Sequence, residues 1–120
     1  MKIVFPSALV HWARLHAVAT PSLNAWKVAV EGAAWRRPSD IRGTWPKYSY
    51  IRTTCNTEGH GRVIFDIAGT DYRLVAHVSY KEHHLNKHPS FHGAVFLRWF
   101  GPHSAYSKID WISSEVTNYE

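Results

Sequence analysis

The chain has 120 residues, 45% of them hydrophobic and 19% charged, a balance that excludes a disordered chain and suits one domain over residues 1–120. Its 14 lysines and arginines outnumber nine acidic residues and leave a net charge of +5, which favours nucleic acid, an acidic protein or an anionic surface as partner. A single cysteine excludes an internal disulfide, and the sequence has neither a bilayer-length apolar run nor a visible signal peptide, so we predict a cytoplasmic protein.

The N-terminal third of the sequence predicts two helices. Residues 2–5 favour a short strand or an extended lead-in, and Ser7 can cap a helix that runs to about His16. Thr20 followed by Pro21 is a preferred helix start, because a capping hydroxyl precedes a proline in the first turn, and this second helix should end near Glu31. The apolar surface of the first predicted helix comes from Leu9, Val10, Trp12, Ala13 and Leu15. The apolar stripe of the second is Leu23, Trp26, Val30 and Ala34, and we expect Trp35 to pack beside it.

The remaining sequence predicts a meander of strands. Ser39 or Asp40 can start a short helical turn within the polar segment 36–46. The predicted strands are Tyr48 to Thr53, Arg62 to Ile67, Tyr72 to Tyr80 and Ala94 to Phe100. Short turns imply antiparallel pairing, since parallel neighbours need a long crossover. The fold class is therefore α+β, with two N-terminal helices packed on a small antiparallel sheet.

Two arginines on neighbouring predicted strands form a candidate phosphate site. Alternation places Arg73, Val75 and His77 on one face of their strand, while Leu74 and its apolar neighbours should face the helices. The next strand carries Arg98. If the two strands pair as a hairpin, the guanidiniums of Arg73 and Arg98 can lie close on the exposed face and share one anion. The alternatives are two solvated arginines, or an arginine paired with Asp66 or Asp71.

The segment after the last strand adds groups suited to RNA cleavage. His103, Tyr106 and Lys108 lie on a predicted helical turn, and an apolar patch that includes Trp111 follows. RNA cleavage needs a proton taken from the 2′-hydroxyl, charge stabilised on the phosphate and a proton given to the 5′-oxygen. Histidine suits the proton transfers, and lysine and arginine suit the developing charge. Tyrosine can stack on a base or orient the hydroxyl.

Three segments carry a family resemblance: RVIFDIAGTDYRLVAHVSY, VFLRWF and the pattern H-x-x-Y-x-K in the tail. Together with the N-terminal helices they resemble the HigB branch of the RelE/ParE-type toxins of toxin–antitoxin pairs. The resemblance implies a ribosome-associated endoribonuclease that cleaves messenger RNA by 2′-hydroxyl attack without a metal or cofactor. It also implies a neutralising partner, a helix-turn-helix antitoxin similar to HigA.

The resemblance also assigns site residues. Those that the family pattern places around the scissile phosphate are Arg73, Arg98, His103 and Tyr106. Those that we further expect to contact RNA are Arg62, His77, Lys81 and Lys108. The sequence departs from the family pattern at Asp66 and Thr70, where asparagine is usual. It departs again at Pro102, Ala105 and Ser107, which replace Thr, Glu and Asp in the tail motif. A weakened or inactive toxin is therefore an alternative.

Other readings of the sequence remain open. The histidines that cluster around the loop 81–93 are His77, His83, His84, His88 and His92. A metal site there is disfavoured, because Pro89 and Gly93 oppose the helix that would align His88 with His92. The loop could instead lie over RNA. A non-catalytic binder of single-stranded RNA that uses stacked aromatics is a further alternative, as is the gyrase-poisoning activity known elsewhere in the superfamily.

Overall fold

The computed structural model of the chain describes residues 1–51, 61–81, 93–111 and 117–118. Its helices are α1 (Ser7–Leu15), α2 (Thr20–Glu31), α3 (Ile41–Thr44) and α4 (His103–Tyr106). Its strands are β1 (Lys2–Val4), β2 (Tyr48–Ile51), β3 (Gly61–Ile67), β4 (Tyr72–Ser79) and β5 (Ala94–Pro102). Within these described residues no helix is long and apolar enough to cross a bilayer.

The two long helices lie where the sequence predicts them, but Val10, Leu15 and Ala34 of their expected apolar surfaces are exposed. α2 begins at Thr20 with Pro21 in its first turn, where a proline costs no intrahelical hydrogen bond. The Thr20 hydroxyl donates to the carbonyl of Ala13 at 3.2 Å, which ties the start of α2 to α1. Ser7 does not cap α1 as expected: it is the first helical residue, and the cap position belongs to Pro6.

The sheet has the strand order β1-β5-β4-β3-β2. β2 through β5 pair antiparallel, and the α+β class is confirmed. β1 pairs with β5 in parallel, so the sheet is mixed rather than purely antiparallel. The expectation failed at β1 because most of the chain separates it from β5, and no short turn constrains its direction.

α1 and α2 cover one face of the sheet and enclose the main core. Leu74, Ala76 and Val78 of β4 are fully buried there, as their alternation predicts. Trp12, Trp26 and Trp35 are no more than 1% exposed. The Trp26 ring meets Phe65 of β3 edge to face, with the ring centroids 5.3 Å apart. The aromatic residues of the helical part therefore act mainly as core.

The opposite face of the sheet carries a smaller apolar cluster, formed by Ile64, Val75, Trp99 and Trp111. Alternation predicted this face to be exposed or to line a cleft. Instead Val75, His77 and Ser79 are buried, because α4 and the segment that follows it fold back over the strands. We call this cluster and the residues packed against it the tail-covered face.

Asn118 closes part of the sheet edge that β1 leaves open. β1 reaches only Phe96 of β5. Beyond that point the Asn118 side chain accepts the N–H of Phe100 at 3.0 Å and donates to its carbonyl at 2.6 Å. The Asn118 backbone N–H donates to the carbonyl of Arg98 at 3.2 Å, and Trp12 Nε1 donates to the Asn118 carbonyl at 2.9 Å. The tail thus satisfies edge groups that would otherwise be open for pairing.

Candidate functional site

A tight turn brings the candidate residues to one end of the sheet. The β3–β4 connection passes through Ala68 and Gly69, with φ angles of 53° and 70°, a left-handed conformation that glycine adopts without strain. Directly after it, Tyr72 pairs with Pro102 of β5. The backbone N–H of His103 donates to the carbonyl of Asp71 at 2.9 Å. The turn and α4 are therefore held together, and we call this region the Arg73 corner (Asp66, Arg73, His103 and Tyr106).

Arg73 is held in place on three sides. Its Nε lies 3.2 Å from Oδ1 of Asp66, its direct partner across the β3–β4 ladder. One terminal nitrogen donates to the carbonyl of Thr70 at 2.7 Å and to that of Tyr72 at 3.2 Å. The side chains of Arg73 and Asp66 remain 14% and 24% exposed. The guanidinium is thus oriented and reachable, and any anion that binds it meets the Asp66 carboxylate as a competitor.

Tyr106 lies between cations and aromatic rings. The guanidinium carbon of Arg73 is 6.0 Å from the centroid of its ring, within cation–π range. Trp111 stacks on the ring with centroids 5.5 Å apart and planes 19° apart. Burial raises the pKa of the Tyr106 phenol, Asp66 adds to that shift, and Arg73 and Arg62 oppose it. The phenol therefore keeps its proton at neutral pH and can donate a hydrogen bond.

His103 and Lys108 are the exposed members of the region. The His103 ring lies one helical turn from Tyr106, with the ring centroids 6.4 Å apart and the planes at 21°. The Ser107 hydroxyl donates to the His103 carbonyl at 2.9 Å, and the Lys108 N–H donates to the carbonyl of Ala105 at 3.2 Å. The corner thus presents an imidazole to solvent beside a phenol and a guanidinium, and Lys108 follows directly after α4.

Arg98 does not pair with Arg73 across the ladder. The strand register sets Arg73 opposite Gly101, while Arg98 lies in a bulge where the register shifts between Val75 and Ala76. Gly101 lies three positions beyond Arg98, roughly 10 Å of backbone. The two strands pair as a hairpin as expected, but the bulge inserts an unpaired residue into β5 and offsets Arg98 along the strand from Arg73. That the two guanidiniums share one anion stays a prediction. Arg98 is half-buried, and it stays a candidate as a separate contact.

Arg62 and His77, both expected to contact RNA, lie under the tail-covered face. Arg62 is 1% exposed and His77 is 6% exposed. Arg62 donates to the carbonyl of Trp111, and its Nε lies 3.3 Å from Nε2 of His77. The structure corrects the expectation for these two side chains: they form an internal polar pair because the chain after α4 covers them. Alternation along β4 cannot reveal such a cover.

Lys81 lies at the other end of the sheet. Eight residues of β4 and its extension separate it from Arg73, roughly 26 Å of strand. Its N–H donates to the carbonyl of Trp35 at 3.0 Å, and its aliphatic stem packs beside Gly93. Lys81 is exposed but does not belong to the Arg73 corner. That Lys81 contacts RNA stays a prediction, and such a contact would lie apart from the corner.

The histidine cluster of the sequence lies mostly outside the described residues, as do Cys55 and Glu82. Of its members the structure describes His77 alone. Among the described parts of the chain, no group of three or more His, Cys, Asp or Glu side chains is arranged to hold a metal ion. The side chains that the Arg73 corner presents are a guanidinium, a carboxylate, an imidazole and a phenol.

Trp99 and Trp111 support the corner, and the sequence analysis gave neither a role there. Trp99 meets Trp111 edge to face with centroids 5.4 Å apart, and it lies 6.3 Å from the Tyr106 ring. Alternation along β5 could not predict which face of the sheet carries Trp99, because the bulge at Arg98 changes the face on which the following residues lie. Trp111 could have been found from the apolar patch directly after the predicted helical turn, because an apolar segment at that position is expected to pack back onto the sheet.

The comparison with known protein families identifies the family of the chain. A family model described as HigB_toxin, RelE-like toxic component of a toxin-antitoxin system, matches residues 19–109. No curated protein matches the chain. The matched range includes every residue of the Arg73 corner and ends before Trp111. Because the family model covers well over half of the 120 residues, the chain belongs to the HigB toxins, the RelE-like toxic components of toxin–antitoxin systems.

Proposed function

We propose that this toxin is an endoribonuclease that cleaves messenger RNA, with the Arg73 corner as its active site. One observation carries the proposal: an oriented guanidinium, a protonated phenol and an exposed imidazole occupy one end of the sheet. These are the groups that metal-free RNA cleavage needs. The net charge of +5 would favour binding of a polyanion. We further propose that cleavage occurs at the ribosome, which places the activity in the cytoplasm.

In the proposed reaction, the 2′-oxygen of one nucleotide attacks the neighbouring phosphorus. An O–P bond forms, the bond from phosphorus to the 5′-oxygen breaks, and the products carry a 2′,3′-cyclic phosphate and a 5′-hydroxyl. The 2′-hydroxyl loses one proton and the 5′-oxygen gains one. Histidine can accept and donate protons near neutral pH, so we assign a proton transfer to His103.

Arg73 and Tyr106 would act on the phosphate rather than on the protons. The negative charge that grows on the phosphoryl oxygens would be stabilised by the fixed guanidinium of Arg73. The phenol of Tyr106 would donate a hydrogen bond to one of those oxygens, since its pKa is raised. Lys108 and Arg98 would hold flanking phosphates. Arg98 lies about 10 Å of strand away from the Arg73 position, which suits a second phosphate better than the first.

Growth inhibition by variants tests the proposal. We expect Arg73→Ala to relieve inhibition and to lower cleavage by about 10²–10³-fold, the usual cost of removing one charge-stabilising donor. Arg98→Ala should relieve it less. The matched control is Arg14→Ala, which removes an exposed arginine of α1, and it should stay as toxic as the parent. Primer extension on messenger RNA after induction should find discrete cuts inside codons with the parent and none with Arg73→Ala.

Two results would overturn the proposed function. One is unchanged toxicity of both Arg73→Ala and Arg98→Ala with all proteins folded. The other is intact messenger RNA in cells whose growth the parent protein stops. Circular dichroism of the purified variants provides the folding control.

A non-catalytic binder of single-stranded RNA is the second candidate function. It is favoured by the Arg73–Asp66 ion pair, which partly neutralises the cation that cleavage would need. It is also favoured by the stacked rings of Tyr106 and Trp111, which could extend onto a base. This alternative predicts that the parent binds a short RNA and leaves it uncut at saturating protein. His103→Ala would then leave the biological effect unchanged, whereas the endoribonuclease predicts its loss.

The family implies an antitoxin partner, and we propose that it is a helix-turn-helix protein similar to HigA. The positive charge of the toxin suggests that the partner places an acidic or apolar segment over the Arg73 corner. Co-expression of a small helix-turn-helix protein encoded beside the toxin gene should restore growth and co-purify at a fixed ratio. Failure of every adjacent reading frame to do so would contradict this partner.

A further inference from the structure

Four side chains form one continuous stack on the tail-covered face. The guanidinium carbon of Arg62 lies 5.8 Å from the centroid of the Trp111 ring. The Trp111 ring stacks on the Tyr106 ring with centroids 5.5 Å apart, and the guanidinium carbon of Arg73 lies 6.0 Å from the centroid of the Tyr106 ring. The order is therefore cation, indole, phenol, cation. The outer cation belongs to the Arg73 corner, while the inner cation is sealed inside the fold.

Arg62 fixes the inner end of this stack. It is 1% exposed, and it donates to the backbone carbonyl of Trp111 and to Nε2 of His77. Burying a guanidinium is costly unless its donors are satisfied. The arrangement therefore strongly favours one position for the Trp111 backbone. Moving the Trp111 carbonyl would leave the buried Arg62 guanidinium without one of its hydrogen-bond acceptors.

Trp111 transmits that position to Tyr106. Its side chain is 5% exposed and packs in the cluster with Ile64, Val75 and Trp99. Its indole Nε1 donates to the carbonyl of Tyr106 at 3.1 Å, so Trp111 contacts both the backbone and the ring of that residue. Because the family match ends at residue 109, the comparison assigns no role to Trp111.

Tyr106 needs such support because of where it lies. α4 is four residues long, and a single helical turn in water does not hold its own shape. Without a neighbouring plane, the Tyr106 ring would be free to change rotamer. The indole of Trp111 removes that freedom and also covers the ring, which agrees with the raised pKa of the phenol.

We propose that Arg62 and Trp111 are positioning residues that hold the Tyr106 phenol against Arg73 in the working geometry of the site. The inference rests on the proposed function for its catalytic consequence. Neither residue is expected to touch RNA; both act through Tyr106. A misplacement of about 1 Å in such a site costs up to about 100-fold in rate, so these buried residues should control kcat.

The test compares Trp111→Leu with Trp111→Phe. Leucine keeps much of the apolar volume but removes the ring, whereas phenylalanine keeps a stacking plane. The first readout is NMR of the protein labelled with ¹³C-tyrosine, in which the Tyr106 signals are assigned with Tyr106→Phe. In Trp111→Leu we expect the Tyr106 ring shifts to move and its titration midpoint to fall toward that of an exposed tyrosine. In Trp111→Phe both should stay near the parent values.

The second readout is steady-state cleavage at a temperature at which circular dichroism shows all variants folded. We expect Trp111→Leu to lower kcat by about 10–100-fold with KM within about threefold, and Trp111→Phe to keep kcat within about threefold. A merely structural Trp111 would lower the melting temperature but leave kcat per folded molecule unchanged. That result, or unmoved Tyr106 signals in Trp111→Leu, would overturn the proposal.

Arg62→Lys covers the case in which Trp111→Leu does not fold. Lysine keeps the charge but loses the planar fork that reaches Trp111 and His77 together, so the Tyr106 signals should shift in the same direction, by a smaller amount. Unmoved signals in a folded Arg62→Lys would overturn the role of Arg62. A parent protein that cleaves no RNA would overturn the proposed function. The NMR signals of Tyr106 would then test the positioning roles of Arg62 and Trp111 without the cleavage assay.

Discussion

The two faces of the sheet are built by different means. The helix-covered face buries a large cluster of aliphatic and aromatic side chains between α1, α2 and the strands. Among the described residues, the tail-covered face buries four apolar side chains, and a hydrogen-bonded arginine, histidine and backbone carbonyl lie beside them. The first face depends on apolar area and the second on specific polar contacts. The Arg73 corner lies at the edge of the second face. The proposed reaction therefore takes place where directional polar contacts, rather than a large apolar cluster, hold the side chains.

This difference separates stability from activity. Substitutions on the helix-covered face should change the free energy of unfolding, because they remove buried area or leave cavities. Substitutions at the Arg73 corner should change activity more than stability, since they disturb the orientation of exposed or partly exposed groups while both clusters of buried residues stay intact. The predictions below run from the largest expected effect to the smallest.

Trp26→Ala should be the most damaging change to the fold. Trp26 is fully buried and packs edge to face on Phe65, so truncation should cost about 3–5 kcal/mol of unfolding free energy. Trp26→Phe should cost clearly less, because Trp26 Nε1 has no hydrogen-bond partner among the described residues and phenylalanine loses no bond. Urea unfolding measures both. Equal losses for the two variants would mean that the indole nitrogen does find a partner.

Arg73→Lys should separate activity from stability most cleanly. The side chains of the Arg73–Asp66 pair are 14% and 24% exposed, and a lysine at position 73 leaves no unpaired charge beside Asp66, so the unfolding free energy should change little. Lysine keeps the charge but cannot hold Asp66, Thr70 and a phosphate in one plane. We therefore expect cleavage to fall by about tenfold or more. Full activity would show that the corner needs a positive charge alone.

Asp66→Asn tests whether the ion pair restrains RNA binding. The carboxylate competes with phosphate for Arg73, and asparagine is the residue that the family pattern favours at this position. We expect the Kd for a short single-stranded RNA to fall by about fivefold at low salt. Fluorescence anisotropy at two salt concentrations measures it. Weaker binding would mean that Asp66 serves mainly to orient Arg73.

Glu31→Gln is the charge-matched control for that experiment. It also removes one negative charge, and the lost carboxylate pairs with Lys27 at 3.9 Å on α2, away from the corner. If Glu31→Gln tightens RNA binding as much as Asp66→Asn does, net charge rather than the corner explains the change.

His16→Phe should give the smallest effect, a change in the pH dependence of stability. The His16 ring lies edge-on to Tyr72 and Phe100 with centroids 5.4 and 5.6 Å away, and burial lowers its pKa. As pH falls below about 6.5, the unfolded chain gains a proton that the folded chain resists, so stability is lost on the acid side. Phenylalanine should flatten that part of the curve. Urea midpoints at pH 7.5 and 5.0 measure the difference, and an unchanged slope would contradict the assignment.

Local pattern predicted much of the fold and part of the site. The extent of α2, the strand β4 and its helix-facing residues Leu74, Ala76 and Val78 follow from sequence pattern and alternation, and the structure agrees with each of them. The expected cap at Thr20 is wrong, because Ala19 holds the cap position and the Thr20 hydroxyl donates to the carbonyl of Ala13 instead. The placement of Arg73 beside Asp66 was one of the open alternatives. The family assignment, which the sequence motifs suggested, is confirmed.

The sequence alone determined which segments form helices and strands and which face of β4 meets the helices, because those properties depend on neighbours a few residues apart. The tertiary structure decided the rest: the parallel addition of β1, the bulge that displaces Arg98 from Arg73, and the burial of Arg62 by Trp111, 49 residues further along the chain. The physical reason is that a charged side chain on a strand carries no local sign of what will cover it. Whether it becomes a surface cation or a buried hydrogen-bond donor depends on where a distant segment returns to the sheet.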